Sequence, residues 1–426
     1  MRRRKGQYSD RDFSFRFQRM SGGELRIRVL NAIADVPAAA WNACANPAGF
    51  GPGRPQENAA LNAESESQDR AYNPFITHEF LHALEASGSA TGRTGWQPQH
   101  LVMENDDGGI IGATPCYLKS HSQGEYIFDW GWADAFERAG GNYYPKLQVS
   151  VPFTPATGER LLVASGENVD AVRIGLASGL AELCSMREAS SAHLTFLTEP
   201  EQELLGKAGF LKRSSQQFHW ENQGYATFDD FLTALASRKR KAIRRERSEA
   251  VVNDIEIEWL TGASLTEAAW DAFFAFYMDT GARKWGRPYL KRPFFSAIGE
   301  TMRDAVLLVM AKREGRYIAG ALNFIGSDTL YGRHWGCIEE HPFLHFELCY
   351  YQAIQFAIER GLKRVEAGAQ GEHKLARGYL PVVTRSAHYI ANPNLRRAVS
   401  DFVRRESAEI AAINEALSEA GPFRKD

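Results

Sequence analysis

Apolar positions along this chain follow two periods, and the same succession of periods occurs twice. Leu101-Val102-Met103 and Ile111-Gly112-Ala113 flank a polar turn at 106–109, which predicts a β-hairpin. Leu308-Val309-Met310 and Ala319-Gly320-Ala321 flank a charged turn at 313–315 and predict the same hairpin, one residue longer. Later in each half the pattern turns helical, over 169–188 and over 343–360, the second with Pro342 near its start and Gly361 as its stop. A strand is expected after each helix, at 193–197 and 364–367. The echo then returns a third time. Gly209-Phe210-Leu211 leads to His219-Trp220 and Gly378-Tyr379-Leu380 leads to His388-Tyr389, with glycine and histidine ten residues apart in both. Three matches in one order predict an internal duplication. Each half is expected to be an antiparallel meander, a helix, a strand and a last hairpin-like segment.

Other patterns complete the layout. A helix over 228–236 is expected to run without interruption into a basic island, because no glycine or proline separates them. Ile255-Glu256-Ile257-Glu258-Trp259 alternates as a half-buried strand should. A helix over 265–278 carries Trp270, Phe273, Phe274 and Tyr277 on one face, which reads as core. An amphipathic helix over 395–417 reads as a brace. Residues 1–23 are polar and basic, and 45–70 are rich in Pro, Gly, Asn, Ser and Glu, so a disordered terminus and a flexible insertion are expected there. Met20 is an alternative start to Met1. The expected division is a disordered segment 1–23, a first domain 24–225, a second domain 226–394 and a C-terminal helix 395–426.

Composition narrows the class. A 426-residue chain with 44% apolar and 24% charged residues fits an ordinary globular enzyme of two or three domains. No apolar run approaches the ~18 residues of a membrane span, and the basic start is not followed by a hydrophobic stretch, so a cytoplasmic protein is expected. The five cysteines are scattered, without metal-binding spacing. Against a net charge of -2, the island Arg238, Lys239, Arg240, Lys241, Arg244, Arg245 and Arg247 stands out. Arg240, Lys241, Arg244 and Arg245 are candidates for binding a polyanion such as phosphate, diphosphate or RNA; a solvated helix face is the alternative. No DNA partner is expected.

Four blocks carry a family resemblance: Asn73-Pro74-Phe75; Phe128-Asp129-Trp130 with Trp132-Ala133-Asp134; Tyr143-Tyr144-Pro145-Lys146; and Glu366-Ala367-Gly368-Ala369-Gln370-Gly371-Glu372-His373-Lys374. Over roughly 72–390 the chain resembles FemAB-like N-acyltransferases, tandem-GNAT proteins that include a bacterial group tied to peptidoglycan biosynthesis and recognition. The resemblance implies an α/β fold with mixed sheets, built as two tandem GNAT domains around a central cleft. It also implies transfer of an acyl or aminoacyl group to an amine acceptor such as a cell-wall precursor. Acyl-CoA or aminoacyl-tRNA would be the co-substrate, with no permanently bound cofactor. The chain departs from the largest relatives in lacking a long Lys/Glu-rich coiled-coil arm, the element associated with tRNA.

Residue chemistry adds candidates. The glycine-rich loop that seats the CoA diphosphate at a helix N-terminus is absent: 157–160 and 164–167 hold too few glycines, and 339–343 is acidic and contains Pro342. Glu372 and His373, in a glycine-rich setting after a strand, are the candidate proton acceptor; closing a turn is the alternative. Tyr117, His121, Glu125, Asp129, Trp130, Tyr144 and Lys146 suit a cleft for an amine acceptor, or else a packed turn. Lys284, Tyr289 and Lys374 join them as substrate-binding candidates. His341, His345 and Glu347, like His78 and His82, lack a convincingly spaced third ligand, so no metal site is expected. No serine elbow, Walker loop or Rossmann fingerprint occurs, and Cys337 and Cys349 lack an activating pattern, so direct displacement is expected. The competing reading is a non-catalytic binding protein on a degenerate GNAT scaffold that recognises a cell-wall precursor or RNA.

Overall fold

The two halves exchange their last strands. In the computed structural model, which describes residues 14–18, 24–47, 51–53, 71–284, 288–368 and 372–424, the first half contributes ten strands. These are β1 (Ser14–Gln18), β2 (Glu24–Leu30), β3 (Trp96–Pro98), β4 (His100–Glu104), β5 (Ile110–Thr114), β6 (Tyr117–Lys119), β7 (Lys146–Val149), β8 (Leu162–Val163), β9 (Ser191–Leu197) and β10 (Leu211–Glu221). The second half contributes β11 (Ile255–Leu260), β12 (Val306–Arg313), β13 (Arg316–Ile325), β14 (Thr329–Cys337), β15 (Arg364–Glu366) and β16 (Leu380–Ile390). The predicted hairpins are β4–β5 and β12–β13.

Each half contains one parallel pair, β7–β9 and β14–β15, joined by a helical crossover. The expected closing hairpins are instead single long strands. β10 inserts between β15 and β16, and β16 inserts between β10 and β9, so one eleven-stranded sheet runs through both halves. Leu211 pairs with His388 and His219 with Leu380, which places an approximate two-fold axis at Ser215 and Thr384. The duplicated glycines open these strands from left-handed backbone, Gly209 at φ 91° and Gly378 at φ 92°, a conformation costly for any other residue. β10, from residues 24–225, and β16, from residues 226–394, thus pair across the division expected at residue 225. In the first half the strand equivalent to β13 is broken into β5 and β6, so β1, β2, β4, β5 and β8 form a separate five-stranded sheet.

Three expectations change. β1 pairs with β2 along its whole length, so 14–18 is strand within the stretch expected to be disordered; the rest of 1–23 and most of 45–70 lie outside the described residues. The helix before the basic island stops at Ala234, and Leu235–Ala236 is extended before a new helix, Ser237–Ala250. The cause is tertiary: buried Leu235 bridges to Phe423, and the Ala236 amide donates to the Pro422 carbonyl at 3.0 Å. Finally, the 343–360 helix is interrupted. Leu344–Phe346 passes into a π turn, Glu347–Tyr351, before Gln352–Glu359, and such turns widen a helix where a site needs room.

The helix Val169–Met186 forms as expected, capped by Asn168 and burying Val172, Leu176, Leu180 and Leu183. The helix Glu267–Lys284 buries Trp270, Phe273, Phe276 and Tyr277 in a core shared by both halves, with Phe75, Phe80, Phe294 and Phe324. It approaches β14 so closely that a Cβ on Gly336 would overlap the Phe276 carbonyl. Gly336→Ala is expected to cost about 1–3 kcal/mol through overpacking, read by thermal unfolding. The C-terminal helix Pro393–Glu419 lies over β10 and β16, where Arg213 holds Glu406 at 2.6 and 2.7 Å. It braces the exchanged strands. Among the described residues no helix is long and apolar enough to cross a membrane.

Candidate functional site

β14 and β15 pair only at Thr329–Arg364, Leu330–Val365 and Tyr331–Glu366. Beyond that point β14 continues to Cys337 while the chain leaving Glu366 turns away through Gly368, at φ 78°. The fork leaves a cavity of about 120 Å³ that passes between the strands. His345, Cys349 and Tyr350 line it from the crossover helix, and Arg333 and Asn323 line it from the opposite side. Arg333 is the extra residue of a β-bulge: Leu322 faces His334 and Asn323 faces Gly332, with nothing opposite Arg333. Bulges beside a cleft re-aim one side chain, and here the guanidinium turns toward the first half. It donates to the Phe153 carbonyl, lies near the Tyr126 side chain and 6.0 Å from the centre of the Phe75 ring, and forms no ion pair with a carboxylate among the described residues.

Glu366 sits at the crotch of the fork, only 4% exposed. Its carboxylate accepts from the Thr157 amide at 3.4 Å and lies 3.9 Å from His219. Burial pushes its pKa up to about 7, against the opposing pull of Arg364, Arg333 and Arg160. Lys374 is buried, donates to the Gly368 carbonyl at 2.9 Å and has its pKa lowered to about 8 by burial. His373 bonds the Tyr350 hydroxyl at 2.9 Å, and burial with the Arg377 charge holds it below the usual histidine value. The side chain of Glu372 lies outside the described residues, as does that of Lys284. Tyr289 stacks on Phe153 at 4.6 Å, which brings it to the Arg333 side of the fork.

The equivalent fork of the first half is filled. Arg160 lies in it with its side chain donating to the Thr195 carbonyl at 3.1 Å and the Ala156 carbonyl at 2.7 Å, while its amide donates to Glu201. Most of the acceptor cleft expected there is interior. Lys146 is fully buried, with its ammonium bonded to Glu125 at 2.7 Å and to Asp129. Lys119 stands 3.8 Å from Glu125 and over the Trp96 ring. Tyr143 donates to Asp129, and His193 meets His388 across the exchanged strands at 2.7 Å. Glu125, Asp129 and Lys146 are thus a sealed ion cluster and not substrate contacts. Tyr117 is likewise corrected to core, wholly buried against Trp96 and His100. His121 closes a turn at the Thr94 carbonyl, Tyr144 bonds Ser122, and Trp130 is exposed beside Phe128, away from the fork.

The basic helix Ser237–Ala250 packs against the crossover helix through Ile243, Glu246 and Arg247; Arg247 holds Glu347, and Glu246 takes Arg377 and Tyr351. Arg244 pairs with Asp229 at 3.1 Å, Arg245 reaches Glu249 at 3.6 Å, and Arg240 points back to the Thr233 carbonyl. Lys241 is exposed. Arg238, Lys241 and Arg245, at i, i+3 and i+7, form an exposed stripe on the crossover side of the fork. Before the crossover helix, Glu339 is bound by Arg313, Arg316 and His341, which offsets the acidity of that loop. No group of three or more potential metal ligands occurs among the described residues.

Arg333 escaped the sequence reading, and Glu366 entered it only as the first residue of a family block and not as a site residue. The available signal was Gly332 and Gly336 inside a strand pattern, since strand-interior glycine marks a bulge or a close approach.

A family model for FemAB-like proteins, described as peptidoglycan biosynthesis/recognition, matches residues 32–425. Solved structures with a similar fold include FemX (12% identity, 74% of this chain and 93% of that one, TM-score 0.47). L-PGS from Bacillus licheniformis is another (10%, 78% and 98%, 0.47). A tandem GNAT protein from the clavulanic acid biosynthesis pathway is a third (13%, 87% and 99%, 0.42). No curated protein matches the sequence.

Proposed function

Because the chain belongs to the FemAB-like family, we propose that it is a transferase forming an amide bond on an amine acceptor, with the chemistry at the β14–β15 fork. The observation that carries the reading is Glu366: a buried carboxyl, raised by burial to about 7, in the last pair before the β14–β15 fork and next to Ala367, which lines the cavity. The acceptor enters between the halves, on the side of Arg333, Tyr126 and Tyr289. The donor enters from the crossover side, beside the exposed basic stripe. The amine nitrogen attacks the donor carbonyl, the N–C bond forms and the C–S or C–O bond breaks. The amine's proton passes to Glu366, and the leaving thiolate or alkoxide takes one from the Lys374 ammonium. His373 then serves the loop that carries Lys374, and the base is Glu366 in place of Glu372 and His373. Activated donors of this kind place the reaction in the cytoplasm.

The donor carries phosphates in this reading, as acyl-CoA and aminoacyl-tRNA both do. Reversing the charges of Arg238, Lys241 and Arg245 is expected to weaken donor binding and to reduce its salt slope by about 0.7–0.9 for each phosphate those side chains neutralise. An unchanged slope returns the stripe to a solvated face.

The test of the function is a transfer assay on the full chain. Acetyl-CoA, a long-chain acyl-CoA and aminoacyl-tRNA would each be offered with a UDP-linked muramyl peptide, and the amide product followed by mass spectrometry. Amide formation with one donor class supports the reading. The filled fork of the first half supports a second one, a binding protein on a partly degenerate scaffold. Tight precursor binding with no product from any donor would establish it.

A further inference from the structure

We propose that Arg333 is the seat for a carboxylate carried beside the acceptor amine, so that the acceptor presents an amino-acid head group to the fork. This rests on the fork being the reaction site, but it names what the fork takes. Three observations carry it.

First, the guanidinium is enclosed by protein yet lines the cavity, with the Phe153 carbonyl, the Tyr126 side chain and the Phe75 ring around it; no carboxylate among the described residues is within ion-pair distance, and Glu366 acts on it only from further away. A buried guanidinium is ordinarily paired, because its five N–H groups and its charge are costly to leave unmatched. The complement to its planar fork is a carboxylate or a phosphate.

Second, the backbone is distorted to build this seat. Tyr126 and Phe153, two of the first-half residues beside Arg333, have φ of 62° and 60°, the left-handed region that bulky residues rarely enter. The strain is held in place: the Phe153 amide donates to the Gly124 carbonyl at 3.2 Å, and a Cβ on Gly124 would lie 2.6 Å from the Phe153 ring. Strain that the surroundings over-determine at a cleft is characteristic of a ligand clamp. Arg333 itself is aimed there by the bulge in β14.

Third, the spacing selects the ligand. Glu366 pairs with Tyr331, Arg333 follows two residues later on the bulge of β14, and the guanidinium is near enough for its charge to act on the Glu366 carboxyl. The acceptor amine at Glu366 and an anion at Arg333 must then sit close together. A head group with both on one carbon meets the two neighbouring side chains at once, whereas a bare amine leaves the guanidinium unmatched.

Isothermal titration of the full chain, without any donor, tests this. The probes are alanine of each enantiomer, alaninamide and phosphoethanolamine. At least one alanine enantiomer is expected to bind at least tenfold tighter than both other probes. Arg333→Met is expected to erase that preference, and Tyr126→Phe to reduce it several-fold with an unchanged unfolding midpoint as the check on folding. Equal affinity for alanine and alaninamide, or no binding by any probe, would overturn the proposal. A preference for phosphoethanolamine would overturn it in favour of a phosphate seat. Because the readout is equilibrium binding, absence of amide transfer in the earlier assay leaves this result standing on its own.

Discussion

Replacing Lys146 by methionine is expected to lower the unfolding free energy by about 3–5 kcal/mol, the usual cost of removing one partner from a buried ion cluster. The ammonium is fully buried and serves Glu125 and Asp129 at once, and Lys119 at 3.8 Å is the nearest cation left to Glu125. The pH dependence identifies the mechanism. Burial pushes the Asp129 carboxyl up, but the Lys146 and His193 charges override it and hold it well below the usual carboxylate range. A depressed acid contributes stability that is present above its unfolded pKa, about 4, and is lost as pH falls through the folded value. Glu125 goes the other way: burial, opposed by Lys146, leaves it raised to about 7. Its contribution is complete below about pH 4.3 and is lost as pH rises through about 7. Without the ammonium both carboxyls can shed their charge only by binding protons. The gap between variant and wild type, measured by urea unfolding, is therefore expected to be smaller at pH 5.5 than at pH 8. A gap below about 1 kcal/mol, or one independent of pH, would show that the cluster is screened after all.

Glu366→Gln is expected to reduce kcat/KM for amide formation by about 10²–10⁴, the range for a positioned general base, while donor affinity stays within a factor of two or three. A base must be unprotonated, and burial raises Glu366 to about 7. Wild-type kcat/KM should therefore climb as pH rises through about 7 and then level, and the variant should lack that step. A variant that keeps the step would move the proton acceptor elsewhere, His373 being the next candidate because it bonds Tyr350 on the cavity wall.

What the sequence discloses here depends on how local the cause is. The hairpins at β4–β5 and β12–β13 were legible because alternation and turn chemistry lie within a dozen residues. The duplicated Gly-to-His segments were legible as a repeat, yet their pairing with one another was not, because single-strand periodicity does not name a partner. The stop at Leu235 follows from Phe423, which lies far along the chain and is invisible to helix propensity. Glu125, Asp129 and Lys146 were read as cleft residues because isolated charges ordinarily mean solvent; only the fold brings them into mutual contact on β7 and the loop before Trp130. Arg333 was hidden for the opposite reason: a cation in a strand looks like surface until the bulge turns it inward.

The exchange of β10 and β16 also governs how the protein can be made. A ribosome completes β9 and β10 long before β16 exists, and at ordinary synthesis rates the gap of roughly 160 residues lasts about 8–30 s. For that interval the β9 edge that β16 will cover has no partner strand on that side, which is the situation in which nascent sheets aggregate or recruit a neighbour. The last strand to emerge closes the sheet of the first half and, through β10, the sheet of the second. The duplicated sequence is therefore expected to fold as one unit, with truncation near residue 225 leaving β10 and β16 each without the other as a sheet neighbour.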